Sequence, residues 1–267
     1  MGTVRPPAVA GLFYPSSPGE LSAQVSRLLR EAGGPEPVGA VKALIAPHAG
    51  YVYSGPTAAI GYSALTRRYE RVVLLGPCHQ VGTPYLALPA ADSFATPLGD
   101  VPVWAAGARM VAELPDVIVG PEVHAREHSL EVQLPFIQTV LEPGTPVLPL
   151  AVGWAKPEAV ARVLEAVWGG GETLIVVSSD LSHYLPYATA QEVDEATLAQ
   201  VMALSPDLLG EQACGAYAVN GLNLAARRRG LRPRVLEYRN SGDTAGDHSR
   251  VVGYAAVIYE QEADHAA

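Results

Sequence analysis

Residues 41–65 read VKALIAPHAGYVYSGPTAAIGYSAL. The first six are apolar except for Lys42 and include the β-branched Val41 and Ile45, which suits a strand buried on both faces of a sheet. GPTAAIGYSAL, residues 55–65, is small and apolar and reads as a helix. Between them stands Pro47-His48, a turn that carries a ligand-type side chain at the carboxyl end of a buried strand. The same arrangement returns twice: RVVLLG, residues 71–76, runs into Pro77-Cys78-His79, and LIVVSS, residues 174–179, runs into Asp180-Leu181-Ser182-His183.

Continuous apolar strands that alternate with helices predict an α/β fold, a three-layer αβα sandwich around a largely parallel buried sheet. In such sheets the carboxyl ends of parallel strands gather at one edge, and ligands bind there. His48, His79 and Asp180, remote in sequence, are therefore expected to meet. Any one histidine at a strand end can merely hydrogen-bond a carbonyl, and Asp180 alone can be a helix N-cap. The recurrence is what argues for a site. Two imidazoles and a carboxylate on a divalent iron leave positions open for dioxygen and a substrate, which a closed structural site does not. His183, three residues beyond Asp180, is a candidate to orient a ligand or to act as general base.

Outward from these strands the chain keeps alternating. Residues 17–34 read as a helix, with Ser17 as N-cap, Pro18 in the first turn, Glu20 closing a capping box and Gly33-Gly34 as the stop. WAAGARMVAEL, HSLEVQLPFIQTVL (with Pro135 as an interruption), PEAVARVLEAV, ATAQEVDEATLAQVMAL and AYAVNGLNLAARRR read as helices; VLPLAV, RVLEYRN and RVVGYAAVIY read as strands. Pro84 to Pro102 reads as a long loop or irregular hairpin. No repeat or linker divides residues 1–267, so a single domain is expected.

Composition narrows the function classes. The 267 residues are 49% hydrophobic and 17% charged, with 27 acidic against 18 basic side chains and a formal charge of −9. Such a surface is a poor partner for nucleic acid. The start, MGTVRPPAVAGLFYP, lacks the apolar core of a secretory signal, and the longest apolar runs are strand-sized, so no membrane span and a cytoplasmic home are expected. Two cysteines, Cys78 and Cys214, fit a reducing compartment.

Weaker candidates flank the main set. In HAREHSLEVQLP, His128 and Glu131 share a helix face if the segment is helical, as a pocket wall or outer shell. Cys78 sits beside His79 and can ligate, oxidise or pack, packing being the plain reading; Cys214, before an apolar helix, reads as core. Tyr51 and Tyr53 follow Gly50, and Tyr53 can offer its ring to a ligand. SGDTAGDHSR brings Asp243, Thr244, Asp247 and His248 to the same rim if the preceding strand runs parallel to the others. Glu192, Asp194 and Glu195 read as a solvated helix face.

The motifs VRPPAVAGLFYP, IAPHAGYVYSGPTAA, LLGPCHQ, EHSLEVQLPF, SSDLSHY and NSGDTAGDHSRVVGYAA, in that order over nearly the whole chain, resemble the Memo family (mediator of cell motility), including its prokaryotic AmmeMemoRadiSam members. The resemblance implies a fold like that of LigB-like class III extradiol dioxygenases. It also implies pocket histidines at His48, His79 and His183 with an aspartate at Asp180. Eukaryotic members carry a pocket cysteine in the last segment where this chain has Thr244, so no thiolate is expected from that position. Sulfur-bound copper then recedes, and the third ligand falls to Asp180, Asp243, Asp247 or water.

Iron(II) is thus the expected cofactor, with zinc or copper as alternatives. Three functions remain open: a non-haem iron oxidoreductase of the dioxygenase type, a non-catalytic metal- or peptide-binding module working with partners, and a metal-assisted hydrolase. The expected ligand is a small molecule or peptide. The system name implies an Amme-type protein and a radical SAM enzyme as neighbours.

Overall fold

The computed structural model describes residues 2–33 and 39–261. Its main sheet holds nine strands. At the centre β2 (Ala40–Ala46), β9 (Thr173–Ser178), β3 (Arg71–Pro77) and β8 (Val147–Val152) lie side by side, all parallel. The flanks turn antiparallel: β12 (Val251–Gln261) pairs β2 on one side, and β4 (Leu86–Leu88), itself parallel to β7 (Val117–Val119), pairs β8 on the other. The sheet is therefore mixed, parallel through its four central strands and again in the β4–β7 pair at its edge. Beyond β12 lie β11 (Arg232–Asn240) and β10 (His183–Leu185), each antiparallel to it. Since β11 opposes β12 and β12 opposes β2, β11 points the same way as β2. The condition for bringing the Asp247 segment to the common rim is met.

Strand alternation builds the layers, because successive side chains face opposite sides. Val73, Leu75, Ile175 and Val177 pack under α3 (Ala105–Ala112), α6 (Pro157–Ala166), α7 (Tyr187–Met202) and α8 (Ala216–Arg229) through Val111, Val160, Leu198 and Leu222. Val72, Leu74, Leu174 and Val176 pack under α1 (Pro18–Ala32), α2 (Tyr51–Ser63) and α5 (Leu134–Val140) through Leu21, Ala59 and Phe136. Each fully buried aliphatic side chain of this kind contributes about 1.5–3 kcal/mol relative to exposure.

Local expectations fare unevenly. The helix at residues 18–32 ends on Gly33 in the left-handed region, as its sequence suggests; Gly34 lies outside the described residues. Ser17 is its N-cap, but its side chain makes no capping bond, so the expected box with Glu20 is not formed. Residues 128–141 are not one helix. A turn at 128–130 leads into a 3-10 turn at Glu131–Gln133, and α5 begins at Leu134. Pro135 thus opens a helix instead of interrupting one, since a proline in the first turn forfeits no helical hydrogen bond. Pro84 to Pro102 is a strand plus a hairpin: β4 joins the main sheet, while β5 (Ser93–Thr96) and β6 (Gly99–Pro102) form a small sheet with β1 (Val4–Arg5). Asp194 is not on a solvated face. It is wholly buried, accepting from Ser182 N at 2.9 Å and from the Tyr238 hydroxyl at 3.0 Å.

Among the described residues no helix is long and apolar enough to cross a membrane.

Candidate metal site

The carboxyl ends of β2, β3 and β9 deliver His48, His79 and Asp180 to one cavity of about 790 Å³. His128, His183, Tyr53 and Asp247 also line it. The rings of His79 and His128 stack with centroids 4.7 Å apart, and His48 meets them edge-on at 5.2 and 5.6 Å.

Hydrogen bonding sets the imidazole tautomers. The single hydroxyl proton of Ser178 is given to Ser129 O at 2.6 Å, so at its 2.9 Å contact with His48 Nδ1 the Ser178 oxygen accepts. His48 therefore carries its proton on Nδ1 and keeps a lone pair on Nε2. Glu127, wholly buried at the side-chain level, lies 2.9 Å from His79 Nδ1 and 3.5 Å from His128 Nδ1. It also accepts from the backbone N–H of His79, His128 and Ser129. Burial alone would raise its pKa, but the bonds from His79, Ser129 and the His79 backbone bring it down to about 2. An ionised carboxylate only accepts, so His79 too is protonated on Nδ1 with Nε2 free. A carboxylate or hydroxyl behind Nδ1 is the usual support of a metal-binding histidine.

Protonation of the His48 and His128 rings is disfavoured. Burial, then the neighbouring His79 and His128, push the pKa of His48 well below its usual value; burial also lowers that of His128. Neutral imidazole is the ligating form. Burial raises the pKa of Asp180, opposed by the His48 N–H that donates to its Oδ1 at 2.8 Å. Asp180 is thus no helix N-cap, the next helix beginning only at Tyr187.

Cys214 is the thiol at the site. Its Sγ stands 3.4 Å from His48 Nε2, held by Asp180 N–H at 3.3 Å. His48, His79 and Cys214 each place a ligand atom within 4.8 Å of the others, and so do His79, Glu127 and His128. Thr244 supplies no thiol, as expected of that position, but the reading of Cys214 as a plain core residue is corrected, since its sulfur joins the cluster of His48 and His79. Cys78 packs among apolar side chains, where burial lifts its pKa to about 12, and it is not in the cavity lining.

Other candidates lie elsewhere. Glu131 faces the N-terminal segment, where it accepts from Arg5, Ala8 N, Val9 N and the Tyr14 hydroxyl. Asp243 caps its own short helix and accepts from the Tyr187 hydroxyl at 2.6 Å; Thr244 donates to Ser241 O. Tyr51 is buried with its hydroxyl on Val132 O, whereas Tyr53 is 40% exposed at the cavity.

Sequence reasoning missed Glu127, Cys214 and Asp194. For Glu127 a signal was present, an acidic residue directly before His128. Cys214 and Asp194 act across the fold and had none.

Residues 5–258 match the family model described as Memo-like protein. Among relatives, a MEMO1 family protein of Aquifex aeolicus is 37% identical over 96% of this chain and 99% of its own length. MEMO1 family proteins of Desulfurococcus amylolyticus and Archaeoglobus fulgidus are each 34% identical over 96% of this chain, covering 98% and 99% of theirs.

Proposed function

Because the chain belongs to the Memo-like family, and its cavity gathers donors suited to a cation, we propose that it holds a non-haem iron ion and serves as an oxidoreductase of the dioxygenase type on an organic substrate. One observation carries the reading: His48 and His79 have their Nδ1 protons taken by Ser178 and Glu127, so two Nε2 lone pairs are presented beside one cavity. The donors fit a divalent transition ion.

His48 and His79 are the proposed ligands; Asp180 stands outside their close-set group of ligand atoms but lines the same cavity, and its carboxylate oxygen not bonded to His48 N is the proposed oxygen donor. Cys214 is a further donor grouped with His48 and His79, and His128 is one grouped with His79 and Glu127. Two imidazoles with an oxygen donor favour ferrous iron, whereas engagement of the thiol would favour zinc or copper. Metal preference therefore reports which donor is used.

A ferrous ion supplies the redox chemistry with dioxygen that side chains lack. The chain's own residues bind and orient the ligand. His183, on the cavity wall, accepts the proton of a ligand hydroxyl. Asp194 fixes the loop that carries it, through Ser182 N. Phe13, Val52 and Tyr254 line the cavity and limit water.

The test is to purify the protein, measure bound metal, load ferrous iron anaerobically and follow oxygen uptake with a panel of catechols. His48→Ala and His79→Ala should lose the metal; His183→Ala should keep it and lose uptake. Stoichiometric iron without uptake would turn the reading to a binding module, and zinc with ester turnover to a hydrolase.

A further inference from the structure

Among the described residues Arg250 is the one cationic side chain, histidines aside, lining the imidazole cavity. It is exposed, and its guanidinium stands 5.0 Å above the ring of Tyr184. Among the described residues no carboxylate lies within ion-pair distance of it. Asp247, on the same wall, is occupied instead with the N–H and hydroxyl of Ser249. An unpaired arginine at the mouth of a cavity is notable in a chain with a net charge of −9.

The ring below it is held at a backbone cost. Tyr184 has φ of 60°, in the left-handed region, and the pairing of β10 with β12 shifts register between His183 and Leu185. Such an irregularity re-aims side chains. Both His183 and Tyr184 consequently line the cavity although they are adjacent in a strand. For a tyrosine this conformation is strained, and with the residue 62% exposed, burial does little to offset it. Strain kept without a packing gain marks a functional position.

We propose that Arg250, stacked on Tyr184, is the specificity determinant of this cavity and selects a planar organic acid: its forked donors take the carboxylate while the ring of the ligand lies among Phe13, Tyr53 and Tyr254 and reaches toward the imidazoles. A guanidinium matches a carboxylate with two parallel donors, and stacking pre-orients the fork. A cavity of about 790 Å³ accommodates a ligand of that size. The inference rests on the cavity being a ligand site beside a metal, but the carboxylate contact does not itself require the ion.

The test uses 3,4-dihydroxybenzoate and its neutral isostere 3,4-dihydroxybenzamide, titrated calorimetrically into the metal-free protein and into protein offered zinc. The acid should bind about tenfold more tightly than the amide, the effect of a charge-assisted hydrogen bond at a partly exposed site. Arg250→Gln should bring the two to parity with the amide's affinity and the zinc content unchanged. Arg250→Lys should retain only part of the preference. Equal binding of acid and amide, a preference that survives Arg250→Gln, or no saturable binding of the acid would each overturn the proposal. A protein that takes no metal yet keeps an Arg250-dependent preference for the acid would sink the metal reading and leave this one standing. Stoichiometric zinc with acid and amide indistinguishable would do the reverse.

Discussion

Glu127 and Glu131 lie four residues apart in one segment, both buried, yet they build opposite things. Glu131 is surrounded by donors that have no further business: Arg5, two backbone N–H groups and the Tyr14 hydroxyl use both its oxygens and lock the N-terminal arm onto the core. Glu127 also has a full set of donors, but two of its partners, His79 and His128, are imidazoles with a second nitrogen pointing to other uses. A buried charge whose partners end with it is architecture. One whose partners pass the interaction on supports a site.

The largest effect is expected at Glu131. Glu131→Ala leaves Arg5 buried without its counter-charge, and breaking a buried pair in this way costs about 3–5 kcal/mol. Urea unfolding should show that loss, while metal bound per folded molecule stays at the wild-type value. Loss of metal together with stability would mean the two glutamates form one unit.

Next in size is an acid effect from His124, whose ring donates to Ala87 O and whose main chain accepts from Arg5. Burial lowers its pKa from 6.5 to about 4. Between those values the unfolded chain takes up a proton that the folded chain refuses, so stability falls as pH drops from 6.5 to about 4. At about 1.4 kcal/mol per unit the loss approaches about 3 kcal/mol. His48 and His128 contribute with the same sign, and a bound metal, which holds their rings unprotonated in the folded state, would keep that share without touching that of His124. Urea midpoints across this range should therefore flatten in His124→Gln even for metal-loaded protein; an unchanged slope would place the proton uptake elsewhere.

Glu127→Gln should act on affinity instead. Losing the charge behind His79 weakens a metal-supporting contact, worth about 10–100-fold in metal affinity, or about 1.4–2.8 kcal/mol. Competition with a chelator measures it. An unaltered affinity would reduce Glu127 to a second Glu131.

This contrast also explains what could be read in advance. His48, His79 and Asp180 were legible because a buried strand announces itself by its apolar run, and parallel strands bring their carboxyl ends to one edge. The family motifs pointed to the same positions. Glu127 was hidden by a helical reading of residues 128–141, which paired His128 with Glu131. In the fold, Glu127 binds the N–H groups of His128 and Ser129 and holds that stretch as a turn before α5. Asp194 looked solvated because its neighbours Glu192 and Glu195 are charged, but a carboxylate can face inward where Ser182 N and Tyr238 await it. Cys214 reaches His48 only because Cys214 N and Asp180 O pair across two loops, a contact no local pattern encodes.

The smallest effect is expected at the open rim of the cavity. The Glu131 knot is built without left-handed backbone at Arg5, Tyr14 or Glu131, whereas the cavity rim holds Tyr184 at φ of 60°. Glycine adopts that conformation freely, so Tyr184→Gly removes strain of on the order of 1 kcal/mol. It also frees the unfolded chain, which opposes the gain. The net change in unfolding free energy should be a stabilisation of about 0.5 kcal/mol or less, although a large side chain has been removed. Ligand selection should suffer at the same time, since Arg250 loses the ring beneath it. A residue whose removal leaves the fold intact and weakens recognition belongs to function; a clear destabilisation on removing Tyr184 would instead return it to the architecture, beside Glu131.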